Sequence, residues 1–256
     1  MRNVAVILAG GTGTRVGLDI PKQLIEIAGR PIIEHTISAF DRSPLIDEIV
    51  IMMTPGHLDP VRAIVESGGY RKVTRILAGA GPQGTRSDST QLALAALGDQ
   101  ECNVLLHDAV RPLVSQQIIE ANVRALAEYQ AVETAIVSAD TIVRVDGSLT
   151  GGVRVGADQP VLADVLPRAL LRRVQTPQSF RLSVLRKAYQ LAAQDPEFSA
   201  TDDCTVVLRY LPDIPIAVVD GDQRNLKVTE PIDVQLAEAL FRLASSPTSV
   251  EPAGNR

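Results

Sequence analysis

The chain contains no tryptophan, and aromatic residues of all kinds make up 3% of its 256 positions. Its interior must therefore be filled by aliphatic side chains. Cysteine is equally scarce. Cys102 and Cys204 lie far apart, and neither has the neighbouring cysteines or histidines that a metal site needs. They read as buried or indifferent thiols in a reducing compartment. No apolar run approaches the roughly 18 residues that span a bilayer. The first run, Val4 to Ala9, is too short for a signal-peptide core and ends in glycines. A soluble, cytoplasmic protein without a membrane partner is expected. Positive charge is not in excess either. The formal net charge of −5 argues against a nucleic-acid partner held by bulk electrostatics. Any anion must be held locally, by placed cations. Only four lysines occur among the 25 cationic residues: Lys22, Lys72, Lys187 and Lys227.

What is present is an alternation. Apolar runs rich in Val and Ile recur at 3–10, 46–54, 72–79, 103–109 and 132–139. Runs that do not strictly alternate suit strands buried on both faces. Between them lie helical patterns at 31–40, 58–68, 87–98 and 115–129, the last with Ser115 placed to cap its start. Strand–helix alternation of this kind predicts an α/β fold with a doubly wound, mostly parallel sheet. From residue 140 the rhythm changes. "DTIVRVDGSLTGGVRVG" (140–156) alternates apolar and polar residues around glycine turns and predicts a β-hairpin, either a dimerisation arm or a local flap. Further elements are expected at 172–180, 181–194, after Thr201, at 214–222 and from Pro231 to Leu243. One domain over 1–244 is predicted, carrying the arm, with a Pro/Ser/Gly-rich tail at 245–256 that reads as disordered.

The turn after the first strand, "LAGGTGTR" (8–15), falls where a parallel sheet presents anion sites. A dinucleotide fingerprint requires a third glycine where Val16 stands, and a P-loop requires Gly-Lys-Ser/Thr where Gly13-Thr14-Arg15 stands. Both motifs fail. Glycines nonetheless let backbone amides approach a phosphate, Arg15 adds a fork of donors, and Lys22 in "PKQ" adds a point charge.

With the motifs "TRSDS" (85–89), "HDAVRP" (107–112), "DTIVRV" (140–145), "TPQSF" (176–180), "TDDC" (201–204) and "NLKVT" (225–229) following in order, the chain from about 3 to 244 resembles the nucleotidyltransferases that activate sugar and polyol phosphates. Within them it is similar to the cytidylyltransferases acting on 2-C-methylerythritol 4-phosphate or ribitol 5-phosphate. The resemblance implies a Rossmann-like nucleotidyltransferase fold and a homodimer formed through the β-arm. It also implies attack by the acceptor's phosphate oxygen on the α-phosphorus of CTP, releasing pyrophosphate. Such a reaction needs no protein nucleophile, only positioning and charge stabilisation.

The same resemblance assigns roles. Arg15, Lys22 and Lys227 surround the triphosphate. Leu8, Ala9, Gly10, Gly11, Thr12, Gly13 and Thr14 wrap it, and Arg86 and Ser89 belong to the loop facing the cytosine. Asp108 helps to hold Mg²⁺ or another divalent cation brought with CTP, directly or through water, since Mg²⁺ takes one or two carboxylates plus phosphates. Arg111 either pairs with Asp108 or supports the acceptor phosphate. His107 is expected to be structural. Thr141, Arg168, Thr176 and Thr201 fall where the family binds its acceptor, and Thr201 alternatively caps a helix.

Gly84 departs from the pattern, standing where an acidic residue is often found, in a loop about two residues longer than usual. Leu8-Ala9-Gly10-Gly11, Val110, Val143 and Cys204 resemble the ribitol phosphate branch, with methylerythritol phosphate as the alternative. A relative using another nucleotide or acceptor is a further reading. A non-catalytic nucleotide-binding relative would be expected to lack the cations that Arg15, Lys22 and Lys227 supply.

Overall fold

The structure, a computed structural model, describes residues 1–11, 20–81, 83–146 and 160–245. The strands are β1 (Asn3–Ala9), β2 (Glu26–Ile27), β3 (Arg30–Pro31), β4 (Glu48–Met53), β5 (Val73–Ala78), β6 (Asn103–Asp108), β7 (Ala131–Val137), β8 (Val143–Asp146), β9 (Val161–Val165), β10 (Arg172–Arg181) and β11 (Ile216–Asp220). The helices are α1 (Ile32–Asp41), α2 (Leu58–Gly68), α3 (Arg86–Ala96), α4 (Gln116–Ala125), α5 (Leu182–Ala192), α6 (Asp203–Tyr210) and α7 (Pro231–Ser245).

Seven strands form one sheet in the order β5-β4-β1-β6-β10-β7-β11. All neighbours are parallel except β10, which runs antiparallel to both β6 and β7. The register of β10 shifts between Gln175 and Ser179, around Pro177. Proline has no N–H to give the ladder, so a central strand tolerates it where the pairing is interrupted.

The apolar runs fill both faces of this sheet. On β1, Val4, Val6 and Leu8 join a core with residues of α3, α5 and α6, while Ala5, Ile7 and Ala9 join another with α1, α2 and α4. Alternate residues of a strand point to opposite faces, so a strand buried on both sides has to be apolar throughout. The doubly wound expectation holds for this reason. Phe40 and Phe180 are the largest fully buried side chains, and the rest of that group is Ile and Met. Both cysteines are buried and free. No helix among the described residues is long and apolar enough to cross a membrane.

Helix starts follow local chemistry. The Ser115 hydroxyl accepts from the Ile118 N–H at 3.2 Å, as expected. Thr85 and Asp88 form a capping box at the start of α3, each accepting from the other's backbone. Thr201 does not cap α6. Asp202 does, accepting from the Thr205 N–H at 2.7 Å.

The hairpin also differs from expectation. β8 pairs antiparallel with β9, so its partner lies beyond the predicted 140–156 window. Residues 147–159 and 246–256, which include the expected turn and most of the tail, lie outside the described residues. Four glycines within 147–156 offered several turn positions, and period-2 alternation alone does not choose a register among them.

Candidate active site

β1 and β6 are parallel neighbours, with Leu8 opposite Asp108 at their carboxyl ends. After β1 the chain proceeds outward through β4 and β5, then returns to place β6 on the other side. Crevices at such reversals of strand order are where open α/β sheets bind ligands. A cleft opens there, lined by Leu8–Gly11, Lys22, Gln23, Gly84–Arg86, Ser89, Asp108, Val110 and Lys227. The structure thus brings together Lys22, Lys227, Asp108, Arg86, Ser89 and the first half of the glycine turn. Thr12, Gly13, Thr14 and Arg15 lie outside the described residues.

Each wall has a local cause. A single 3-10 turn, Lys22–Leu24, follows Pro21. Its Gln23 is buried, and the amide donates to the Ala9 carbonyl at 2.6 Å and to Thr54 Oγ1 at 3.2 Å. That bond ties the turn to the end of β1 and lays the Lys22 stem near Gly11, where an added Cβ would sit 3.8 Å from Lys22 Cε. Ser89, at the start of α3, accepts from the Ala80 N–H at 3.1 Å. A Cβ built on Gly10 or on Gly79 would come within 3.0 Å of its hydroxyl, so Ser89 reaches the cleft through a gap that two glycines leave open. At Gly84 a Cβ would lie 2.3 Å from Ala80 Cβ. The loop has no room for the acidic side chain often found at that position.

Asp108 sits at the floor. Its carboxylate meets Arg86 Nε at 3.2 Å, Lys227 Nζ at 2.9 Å and Arg111 Nε at 3.6 Å. Burial would raise its pKa, but Arg86, Lys227 and Arg111 together hold it well below the usual carboxylate range. Lys227 is brought to this point by a clasp between two loops. The Val228 N–H donates to the Val110 carbonyl at 2.8 Å, and Arg111 Nη1 donates to the Asn225 carbonyl at 2.8 Å. Asn225 in turn donates to Gln175 Oε1 and to the Thr176 carbonyl. Arg111 therefore takes the structural alternative, buried between Asp108 and Asn225.

Thr176 is not turned to the cleft. Its buried hydroxyl accepts from the Asp108 N–H at 3.1 Å and lies 3.1 Å from His107 Nδ1, so it holds the end of β6. Since that hydroxyl oxygen accepts from Asp108, its proton goes to Nδ1, leaving Nε2–H to donate to the Arg111 carbonyl at 3.2 Å. His107 is thus a neutral structural imidazole. Burial pushes its pKa down to about 4.

Thr141, Arg168 and Thr201 do not line the cleft. Arg168 donates to the Ala139 carbonyl at 3.2 Å, bracing the base of the arm near Thr141. The Thr201 hydroxyl lies 3.1 Å from that of Thr205. The direct metal role expected of Asp108 also meets an obstacle, because three cations face its two oxygens. No group of three or more His, Cys, Asp or Glu capable of holding a metal ion occurs among the described residues. Sequence reasoning passed over Gln23, Asn225, Asp203 and Gln178 as functional positions. All four stand inside the quoted motifs, so the signal was present but unread.

The family model described as "IspD: 2-C-methyl-D-erythritol 4-phosphate cytidylyltransferase" matches residues 3–243. A 2-C-methyl-D-erythritol 4-phosphate cytidylyltransferase of Thermobifida fusca is 46% identical over 243 residues, spanning 94% of both chains. A bifunctional ribulose 5-phosphate reductase/CDP-ribitol pyrophosphorylase of Haemophilus influenzae is 39% identical, over 95% of this chain and 49% of that protein. Among solved structures, the 4-diphosphocytidyl-2C-methyl-D-erythritol synthase of Anaerococcus prevotii superposes with a TM-score of 0.79 at 30% identity. It covers 94% of this chain and 96% of that one.

Proposed function

The chain belongs to the 2-C-methyl-D-erythritol 4-phosphate cytidylyltransferase family, and on that premise we propose that it transfers CMP from CTP to 2-C-methylerythritol 4-phosphate. The products are the CDP-alcohol and pyrophosphate. The acceptor phosphate oxygen forms a bond to the α-phosphorus as the bond to the pyrophosphate oxygen breaks. The attacking group is already an anion, so no protein nucleophile is required, and catalysis rests on placement and charge. Lys22 and Lys227, both lining the cleft at the ends of β1 and β6, stabilise the charge that develops on the triphosphate. That convergence of two of the chain's four lysines on one cleft is the observation that carries the reading. Arg15 completes the set, the Gly10–Gly11 backbone lets the phosphates approach, and Ser89 and Arg86 form the wall beside the base.

A divalent cation resident on the protein does not fit these residues, because the Asp108 oxygens are committed to Arg86, Arg111 and Lys227. The cation enters as part of the substrate, on the triphosphate oxygens and water, as Mg²⁺ prefers.

The acceptor approaches from the arm side, where Thr141 and Arg168 stand. We also assign the arm to a homodimer. Val143, Val161, Leu162 and Val165 on β8 and β9, with Leu170 just beyond, are exposed apolar residues around the two strands, and a second copy would cover them. Sedimentation of the wild type against a Leu162→Asp/Leu170→Asp variant checks this. A dimer that becomes a monomer supports it, and a wild-type monomer refutes it.

Leu8-Ala9-Gly10-Gly11, Val110, Val143 and Cys204 are the residues that lean toward ribitol phosphate. Cys204 is packed in the core and Val143 faces outward on the arm, so neither is placed to choose an acceptor, whereas Leu8–Gly11 and Val110 line the cleft. The family match and the Thermobifida relative favour methylerythritol phosphate, while the Haemophilus relative keeps ribitol phosphate as the second reading. Supplying both acceptors at equal concentration with CTP, and weighing the products by mass spectrometry, separates them. A predominance of CDP-ribitol would overturn the assignment.

A further inference from the structure

Asp203 is fully buried at the first position of α6, yet it does not cap that helix, because Asp202 already does. Its carboxylate is engaged on both oxygens. Oδ2 pairs with Arg86 Nη1, and Oδ1 accepts from the Tyr189 hydroxyl at 2.6 Å. The Asp203 N–H donates to Gln178 Oε1 at 3.1 Å, which fixes the helix start against β10. Buried carboxylates persist only when paired in this way. Arg86 then continues inward through Nε to Asp108, whose other oxygen meets Lys227. A continuous chain therefore runs from Tyr189 through Asp203, Arg86 and Asp108 to Lys227 at the cleft wall.

Charge explains why the far end matters. Asp108 alone would face three cations, Arg86, Arg111 and Lys227. Without a second carboxylate, Arg86 is released to fold its planar fork onto both Asp108 oxygens, the geometry such pairs prefer. Lys227 would then lose its anchor. With Asp203 in place, Arg86 is stretched between two carboxylates and one Asp108 oxygen is left for Lys227.

We propose that Asp203, oriented by Tyr189, is a positioning residue that fixes Lys227 at the cleft by holding Arg86 away from bidentate pairing with Asp108. It touches neither nucleotide nor acceptor. This inference rests on the cytidylyltransferase reading for its kinetic consequence but not for the anchor itself.

Two measurements on the full chain test it. Asp203→Asn keeps the shape and removes the charge; Tyr189→Phe removes only the hydroxyl and serves if the first variant fails to fold. Asp203→Asn should lower kcat by about 10- to 100-fold, the cost of displacing a catalytic group. In a Lys227→Ala background it should have almost no further effect. Multiplicative losses in the double variant would mean a merely structural role and would overturn the proposal.

The anchor is read separately by ¹⁵N NMR of the Arg86 guanidinium, assigned with Arg86→Lys. Restricted rotation is expected in the wild type, and in Asp203→Asn the Nη resonances should move to new positions as the fork turns onto both Asp108 oxygens; resonances unchanged by that substitution would contradict the proposal. Free rotation in the wild type would refute the anchor whether or not the protein turns over CTP. An inactive wild type with a restricted Arg86 would instead refute only the functional reading.

Discussion

Lys227 Nζ lies 2.9 Å from Asp108 Oδ2, joining the end of a central strand to a loop more than a hundred residues later in the chain. The pair sits where Lys22 also enters the cleft, so charge from distant parts of the sequence meets over one β-strand crossing.

Lys227→Ala should therefore lower kcat by about 10²–10³, the range for losing one well-placed group that stabilises transition-state charge. Lys22→Ala should do the same. Both ammonium groups lie at the cleft, and the Lys227 side chain is 41% exposed, so the melting temperature should change little. Steady-state kinetics beside circular-dichroism melts check this; near-normal turnover in a folded variant would remove either lysine from its role.

Thr176→Val separates the structural from the acceptor-binding role of that residue. Removing the hydroxyl leaves the buried Asp108 N–H and His107 Nδ1 without their partner. Stability should fall by about 1–3 kcal/mol, the usual cost of a buried group left unsatisfied. KM for the acceptor should stay the same. A raised acceptor KM with unaltered stability would place Thr176 at the substrate after all.

Two buried groups with opposed pH dependence pack near the site. Burial pushes the Glu133 carboxyl up to about 7, against the opposing bond from Gln178. Between pH 4.5 and 7 the folded protein keeps a proton that the unfolded chain has lost, so stability declines by about 3 kcal/mol as pH rises through that window. His107 behaves in reverse. Its folded pKa of about 4 lies below the ordinary 6.5, so its stabilising contribution, about 3 kcal/mol, is present above pH 6.5 and lost as pH falls toward 4. The two largely offset each other in the wild type. Glu133→Gln should be more stable than the wild type at pH 8 by about 2–3 kcal/mol and no more stable at pH 4. Urea denaturation across pH measures this, and a variant destabilised at pH 8 would contradict it.

Gly84→Ala should cost about 1–3 kcal/mol, because its Cβ would lie 2.7 Å from the Ala80 carbonyl oxygen and the loop must shift. Gly10→Ala presses instead on the Ser89 hydroxyl and should weaken CTP binding more than folding. Denaturation and CTP titration of both variants distinguish the two effects. Equal losses of affinity with no loss of stability at Gly84 would refute the steric account.

Where local chemistry decides, the structure matches a reading of the sequence closely. The both-faces-apolar β1, the Ser115 cap and the α2 pattern over 58–68 all follow from nearest neighbours along the chain. The cleft-lining lysines were legible because their motifs are short and ordered. The clasp that places Lys227 was not, because Arg111, Asn225 and Gln175 meet only after the sheet has formed. Asp203 was hidden for a similar reason. Next to a true cap, Asp202, it reads as a second helix-start acid, and only packing against Arg86 and Tyr189 gives it another task. The place of Thr176 was not legible because a hydroxyl in a binding motif and a hydroxyl supporting that motif look the same in sequence.

The central claim is that this cleft joins CMP to 2-C-methylerythritol 4-phosphate. Pyrophosphate release by the full chain, with CTP and Mg²⁺ and with or without that acceptor, tests it most directly. The account predicts rapid release that requires the acceptor, yields one CDP-methylerythritol per pyrophosphate and collapses in Lys22→Ala and Lys227→Ala. No acceptor-dependent release with CTP, ATP, GTP or UTP would contradict it.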